Sequence, residues 1–125
     1  MTPWTAYGQT NVQQNTSVNN PTANLAGVAG EVSLPYTVPD GTTLILTSWG
    51  VEGAFGLTAI FPWLGSAPAT NGKALPTALA NGWTNSVDGC WVLSSGTIVN
   101  AYLTYLGTST SAVQGWWLQG VLSTN

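Results

Sequence analysis

Glycine and proline residues break most of this chain into short segments that suit β-strands better than helices. The sequence holds 15 Gly and 7 Pro in 125 residues, and the segments between them are rich in Val, Leu, Ile, Thr and aromatic side chains. No segment shows the apolar period of roughly 3.6 residues, or the capping boxes, that indicate a helix. Short strands separated by Gly and Pro turns are typical of a sandwich or a barrel. We therefore predict an all-β protein, an antiparallel β-sandwich.

Several segments carry the pattern of individual strands. Residues 31–38 alternate apolar and polar side chains, which indicates a half-buried strand, and residues 39–41 (Pro-Asp-Gly) predict a turn after it. Residues 65–89 are expected to be mostly loop. Further strands are predicted at residues 43–49, 57–64, 90–93, 97–106 and 113–122.

Three segments are apolar on both faces, at residues 43–49, 57–64 and 113–118. One face of a two-layer antiparallel sandwich normally contacts water. A second apolar face therefore predicts a further buried surface, most simply against copies of the same chain. The residues expected at this subunit interface are Ile45, Trp49, Trp116 and Trp117.

The N-terminal segment differs in composition from the rest. Residues 1–24 are rich in Asn, Gln, Thr and Ser and show neither a helical nor a strand period. We therefore predict an extended N-terminal arm at residues 1–24 and a β-sandwich domain at residues 25–125. Trp4 and Tyr7 are isolated aromatic residues in this arm, and aromatic side chains bury large apolar areas. They indicate that the arm docks either on its own domain or on a neighbour, and we expect the contact to be with an adjacent subunit or another protein.

The chain carries almost no charge. Charged side chains make up 4% of the residues, the net charge is −3, and Lys73 is the single cation. Nucleic-acid binding and a basic membrane-binding patch both need several Lys or Arg residues, so neither is expected. The apolar runs are far shorter than the roughly 20 residues that cross a bilayer. The first 25 residues lack the basic and apolar regions of a secretory signal, so we expect synthesis in a cytoplasm.

Solubility must come mainly from Thr, Ser, Asn and Gln side chains. A surface with a net charge near zero favours association. We therefore expect partners to cover much of the surface of this protein.

The residue inventory argues against catalysis and against a metal or cofactor. The chain has no His and no Arg, so the commonest general base and the His-dependent triads are missing. Cys90 is the only cysteine, which leaves no disulfide and too few ligands for a zinc site. The acidic residues are scattered, and Glu52 stands near an aromatic residue in the segment "WGVEG". We predict no enzyme, no cofactor and no metal site.

Exposed tryptophans offer an alternative function, which is binding of a neutral glycan. Sugar rings stack on exposed aromatic side chains and bond to nearby amide and carboxylate groups. Trp63 and Trp83 stand in loops or at strand ends, and packing in the core or between subunits is the competing interpretation. The polar residues expected beside them are Asn81, Asn85 and Asp88.

Three motifs resemble those of small jelly-roll domains in tailed-bacteriophage virions. "YTVPDGTTLILTSWGV" resembles their strand–turn–strand "VPxG(T/K)xLxLT", "LSSGTIVNAYLTYLG" resembles their "xxxGTxV" strand, and "WWLQGVL" resembles their closing "GYL"-type strand. The resemblance covers about residues 31–122, and the chain departs from it in its "WW" and its lack of charge.

This resemblance implies a jelly-roll-like sandwich in a virion, usually as a homotrimer. Such domains occur in capsid decoration (cement) proteins, head fibres and tail-fibre tips. The resemblance therefore implies a structural protein that decorates or stabilises the phage head through uncharged, aromatic-rich contacts. Its partners would be copies of itself and the major capsid protein or other virion proteins. The alternative is a glycan- or receptor-binding tip domain.

Overall fold

The computed structural model describes residues 1–27, 29–53, 56–66 and 72–125. All its regular elements are strands, which confirms the predicted all-β fold. No helix in these ranges is long and apolar enough to cross a membrane. The strands, in chain order, are β1 (Thr2–Gln13), β2 (Thr16–Asn19), β3 (Tyr36–Thr37), β4 (Thr42–Glu52), β5 (Thr58–Leu64), β6 (Lys73–Ala74), β7 (Ala78–Ala80), β8 (Thr84–Leu93), β9 (Ile98–Tyr105) and β10 (Ser111–Thr124).

The strands form two antiparallel sheets that pack against each other, which confirms the predicted β-sandwich. The four-stranded sheet has the order β1-β10-β4-β8. The six-stranded sheet has the order β2-β9-β5-β6, with β3 also pairing with β9 and β7 with β5. The pairings are nested along the chain, since β1 pairs with β10, β2 with β9, β4 with β8 and β5 with β7. This is the winding of a jelly roll, a double-sheet antiparallel fold.

The core lies between the two sheets and contains large aromatic side chains. The indole N–H of Trp49 donates to the carbonyl oxygen of Pro76 at 2.7 Å, and the indole N–H of Trp116 donates to Oγ1 of Thr10 at 3.0 Å. Both rings thus bury a large apolar area without leaving an unpaired donor. As the alternation in residues 97–106 predicts, one face of β9 is fully buried, and it is formed by Val99, Ala101, Leu103 and Tyr105.

β4 contains an irregularity that strict alternation does not reveal. Alternation predicts Trp49 on the same face as Ile45. In the structure the pairing with β10 skips Thr47, so that Leu46 and Ser48 oppose adjacent residues of β10. This β-bulge reverses the facing of every later residue in the strand. Trp49 is fully buried in the core alongside Leu46, and the predicted facing is wrong.

β1 corrects the prediction of a separate N-terminal arm. This strand of 12 residues pairs with β10 along its whole length and belongs to the four-stranded sheet. Trp4 and Val12 are buried in the core. The strand period is hidden in the sequence because Gly8 and Thr10 also occupy inward positions between them. Residues 1–24 are therefore an integral part of the sandwich.

Three other elements differ from their predicted bounds. In residues 31–38 only the two residues of β3 form strand pairs, while Glu31 makes a single parallel bridge with Thr5. The strand predicted at residues 90–93 begins earlier, at Thr84. The predicted loop at residues 65–89 contains β6, β7 and the start of β8, and its residues 67–71 lie outside the described part of the chain.

Candidate functional site

Two areas on the outer face of the four-stranded sheet expose apolar or aromatic side chains. Side chains alternate between the two faces along each strand, so the register of the pairings aligns the outward ones in rows across the sheet. We call the first area the apolar row, formed by Pro3, Ile45, Val92 and Val121. We call the second area the Glu52 cleft, lined by Glu52, Gly82, Trp83 and Thr84.

The apolar row takes one residue from each of the four strands. Val121 pairs with Pro3 on one side and with Ile45 on the other, and Ile45 pairs with Val92. Ile45 and Val121 are partly exposed, and Val92 is 67% exposed. The result is a line of apolar side chains across the sheet, and a contiguous exposed apolar surface marks an interaction site when it is large enough.

Two glycines on the same face make room for side chains from the adjacent strand. A Cβ atom at Gly50 would overlap with the indole of Trp117 and would lie 2.7 Å from the carbonyl oxygen of Asn85. A Cβ atom at Gly115 would lie 2.9 Å from Cδ of Glu52. Trp117 therefore lies across β4, and Glu52 lies across β10, each close against the backbone of the other strand.

The Glu52 cleft lies where β4 ends and β8 begins, and its volume is about 160 Å³. Glu52 and Thr84 are cross-strand partners. Trp83 precedes β8 and is 82% exposed. Its carbonyl oxygen accepts a hydrogen bond from the N–H of Gly53 at 3.3 Å. The turn before it depends on Gly82, whose φ of 78° favours glycine. The backbone therefore fixes the position from which the indole of Trp83 projects.

A tyrosine–carboxylate pair stands at the β1 edge of the sheet. The Glu31 carboxylate hydrogen-bonds with the Tyr7 hydroxyl and thereby raises the pKa of Tyr7 above its ordinary 10.0, and desolvation and the negative charge of Glu31 act in the same direction. The segment that carries Glu31 is fastened to β1, because Thr5 N–H donates to the Gly30 carbonyl oxygen at 2.8 Å and Val32 N–H donates to the Thr5 carbonyl oxygen at 2.9 Å. This segment covers part of an otherwise open sheet edge.

The predicted contact residues divide between this outer face and the core. Ile45 and Trp117 lie on the outer face and are half-buried, as is Tyr7, which is the cross-strand partner of Trp117. The structure places the other three predicted contact residues in the core instead of on a contact surface, and these are Trp4, Trp49 and Trp116.

Trp63 does not form the predicted glycan surface. It is only 2% exposed, and its indole N–H donates to Oδ1 of Asn19 at 3.1 Å. The ring lies beneath Gly65 and Gly72, since a Cβ atom at either position would contact it. The second apolar face of residues 57–64 is thus covered in part by the same chain.

Two of the three polar residues predicted beside Trp83 form hydrogen bonds within the chain. Asn85 is occupied on both sides of its amide, donating from Nδ2 to the Leu79 carbonyl oxygen at 2.8 Å and accepting at Oδ1 from the Ser86 N–H at 2.9 Å. Asp88 lies within β8 and accepts a hydrogen bond from the Ser86 hydroxyl at 3.3 Å. Asn81 is exposed. Of the predicted glycan contacts, Trp83 is the one that lines the cleft.

The remaining reactive groups are scattered. The four acidic residues lie on different segments, and Cys90 is exposed on β8 without a disulfide. Within the described ranges, no three His, Cys, Asp or Glu side chains lie together in a way that could hold a metal ion.

The sequence did not reveal Pro3, Val92 and Val121 of the apolar row, or the two glycines that contact Trp117 and Glu52. Each gains its role from a partner on another strand, so only the register of the pairings reveals it. A sequence signal was available in Gly50 and Gly115, because a glycine in the interior of a strand often marks the close approach of another group.

The chain matches no known protein-family model and no curated protein sequence.

Proposed function

We propose that this protein is a non-enzymatic structural protein of a phage virion, a capsid decoration protein that associates with copies of itself and with the major capsid protein. The observation that carries the proposal is the apolar row, which crosses all four strands of the sheet and contains no charged side chain. The motif resemblance of residues 31–122 supports the virion location.

The apolar row is assigned to contact between copies of this chain. With one cation and four acidic residues in each chain, two copies have few charges with which to attract or repel each other. Association must then come from burial of apolar surface, which is non-directional and roughly proportional to the area removed from water. Side chains from two sheet faces can interdigitate across such a contact. The resemblance implies a homotrimer.

The test is co-purification with particles. Phage particles are assembled in three separate preparations of host cells, which supply the wild-type chain, the Val92→Asp variant or the Val113→Asp variant. The particles are then purified through a density gradient. Val113 is 51% exposed on the same sheet face but lies outside the apolar row, so it provides a matched control.

We expect the wild-type chain and Val113→Asp to travel with particles in similar amounts, and Val92→Asp to be strongly depleted. Particles that contain no wild-type chain would overturn the virion proposal. Equal occupancy of all three chains would overturn the role of the apolar row.

A further inference from the structure

Trp83 is the most exposed tryptophan of the molecule, and its exposure is costly. Four of the seven Trp are buried and two are half-buried, whereas Trp83 is 82% exposed. Leaving a large aromatic side chain in water forgoes a substantial hydrophobic gain. The hydrogen bond from Gly53 and the positive φ of Gly82 hold this exposed position in place.

Glu52 also lines this cleft, and its carboxyl group lies against Gly115. The carboxylate forms no hydrogen bond or ion pair with the described residues. The single cation, Lys73, pairs with Leu64 in the other sheet. Both carboxylate oxygens are therefore available as acceptors, and the Thr84 hydroxyl, opposite Glu52 in the ladder, adds a donor and acceptor.

We infer that the Glu52 cleft binds a neutral saccharide, with one sugar ring stacked on Trp83 and its hydroxyl groups donating to Glu52. The C–H face of a sugar ring is apolar and matches one open indole face, while adjacent hydroxyls match the two oxygens of a carboxylate. Hydrogen bonds to a charged acceptor are stronger than those between neutral groups. A net charge of −3 disfavours an anionic ligand. A cationic ligand would call for an aromatic cage, whereas among the described residues Trp83 is the one aromatic side chain that lines this cleft.

Because Glu52 lies against Gly115, a substitution at Gly115 can test whether the position of the Glu52 carboxyl group matters for binding. A Cβ atom at residue 115 would lie 2.9–3.2 Å from the carboxyl atoms of Glu52 and would push them away from their present position. Gly115→Ala should therefore weaken binding while leaving Trp83 and the charge of Glu52 in place.

The test uses the full chain on an array of neutral oligosaccharides of glucose, galactose, mannose and N-acetylglucosamine. The strongest binder is then titrated calorimetrically against Trp83→Ala, Glu52→Gln and Gly115→Ala. Asp88→Asn removes an exposed carboxylate from β8 outside the cleft and is the matched control for charge. Circular dichroism verifies the fold of each variant.

We expect Trp83→Ala and Glu52→Gln each to weaken binding roughly tenfold or more, Gly115→Ala to weaken it less, and Asp88→Asn to leave it unchanged. An array without signal for the wild-type chain would overturn the inference, and so would binding that survives both Trp83→Ala and Glu52→Gln. Binding of a trimethylammonium probe in place of neutral sugars would overturn the assignment of the ligand. None of these results bears on particle attachment through the apolar row.

Discussion

At the scale of single residues, Gly50 and Gly115 respond differently to the same added methyl group. At Gly50 the new carbon meets the ring of Trp117 and the carbonyl oxygen of Asn85, which are both held by the sheet. At Gly115 it meets the end of the flexible Glu52 side chain. We expect Gly50→Ala to lower the free energy of unfolding by about 1–3 kcal/mol, and Gly115→Ala to change it by less than about 0.5 kcal/mol. Urea denaturation measures both, and equal losses would contradict this account of the sheet face.

The Tyr7–Glu31 pair predicts a loss of stability in alkali. The pKa of Tyr7 in the folded chain is raised above 10.0, so the unfolded chain loses this proton first as the pH rises. The stabilisation from protonated Tyr7 is fully present below the unfolded pKa and is lost as the pH rises through the folded value.

The measurement is the urea midpoint of wild-type and Tyr7→Phe protein across a pH range of about 8 to 11. Tyr7→Phe should lose less stability over that range than the wild type. Some loss should remain, because burial also raises the pKa of Tyr36. Parallel curves for the two proteins would show that Tyr7 does not titrate as described.

At the scale of elements, β1 decides whether the sandwich forms. Deleting residues 1–24 removes β1, which pairs with β10, and β2, which pairs with β9. It also removes the buried side chains of Trp4 and Val12 from the core. We expect the truncated chain to have no cooperative unfolding transition. Trp4→Ala in the full chain should cost about 3–5 kcal/mol.

Gln9→Ala is the control for Trp4→Ala, because Gln9 is exposed on the same strand and its loss should cost less than about 0.5 kcal/mol. A folded, cooperative domain lacking residues 1–24 would restore the idea of a separable arm.

Individual strands differ in how far the sequence predicts them. The sequence predicts β9 because each inward position of this strand, from Val99 to Tyr105, carries an apolar side chain. The sequence does not predict β1, because Gly8 and Thr10 occupy inward positions of this strand and interrupt the apolar alternation. In β4, the bulge at Thr47 depends on pairing with β10 and β8, so no local pattern announces it.

The candidate site was predictable to the same limited degree. The exposure of Trp83 follows from its place after Asn81-Gly82, a turn signal that the sequence shows directly. The approach of Glu52 to Gly115 and of Trp117 to Gly50 depends on the register between β4 and β10, which lie far apart in the chain. The pattern of apolar side chains on both faces has causes within the chain itself, since the bulge turns Trp49 inward and Trp63 is covered by other residues of the same chain.

At the scale of the whole molecule, the apolar row predicts self-association. We expect sedimentation velocity at micromolar concentration to give a mass well above that of the 13.0 kDa chain, with the number of copies read from the measured mass. Val92→Asp places a charge in the row and should shift the protein towards the monomer, because a desolvated, unpaired charge is costly. Val113→Asp should sediment like the wild type. A wild-type monomer at this concentration would contradict the self-association.

The last expectation is that the assembly tolerates salt and weakens in the cold. Screening acts on charges, and each chain has only five charged side chains, one basic and four acidic. None of these five belongs to the apolar row. Raising NaCl to about 0.5 M should therefore leave the sedimentation coefficient nearly unchanged, although the Debye length falls below about 5 Å. Cooling, unlike salt, should weaken the assembly, because hydrophobic stabilisation weakens as temperature falls. Partial dissociation near 4 °C that reverses on warming would identify apolar burial as the driving force. Dissociation on modest addition of salt would instead mean that the few charges hold the copies together, and the apolar row would then not be the contact surface.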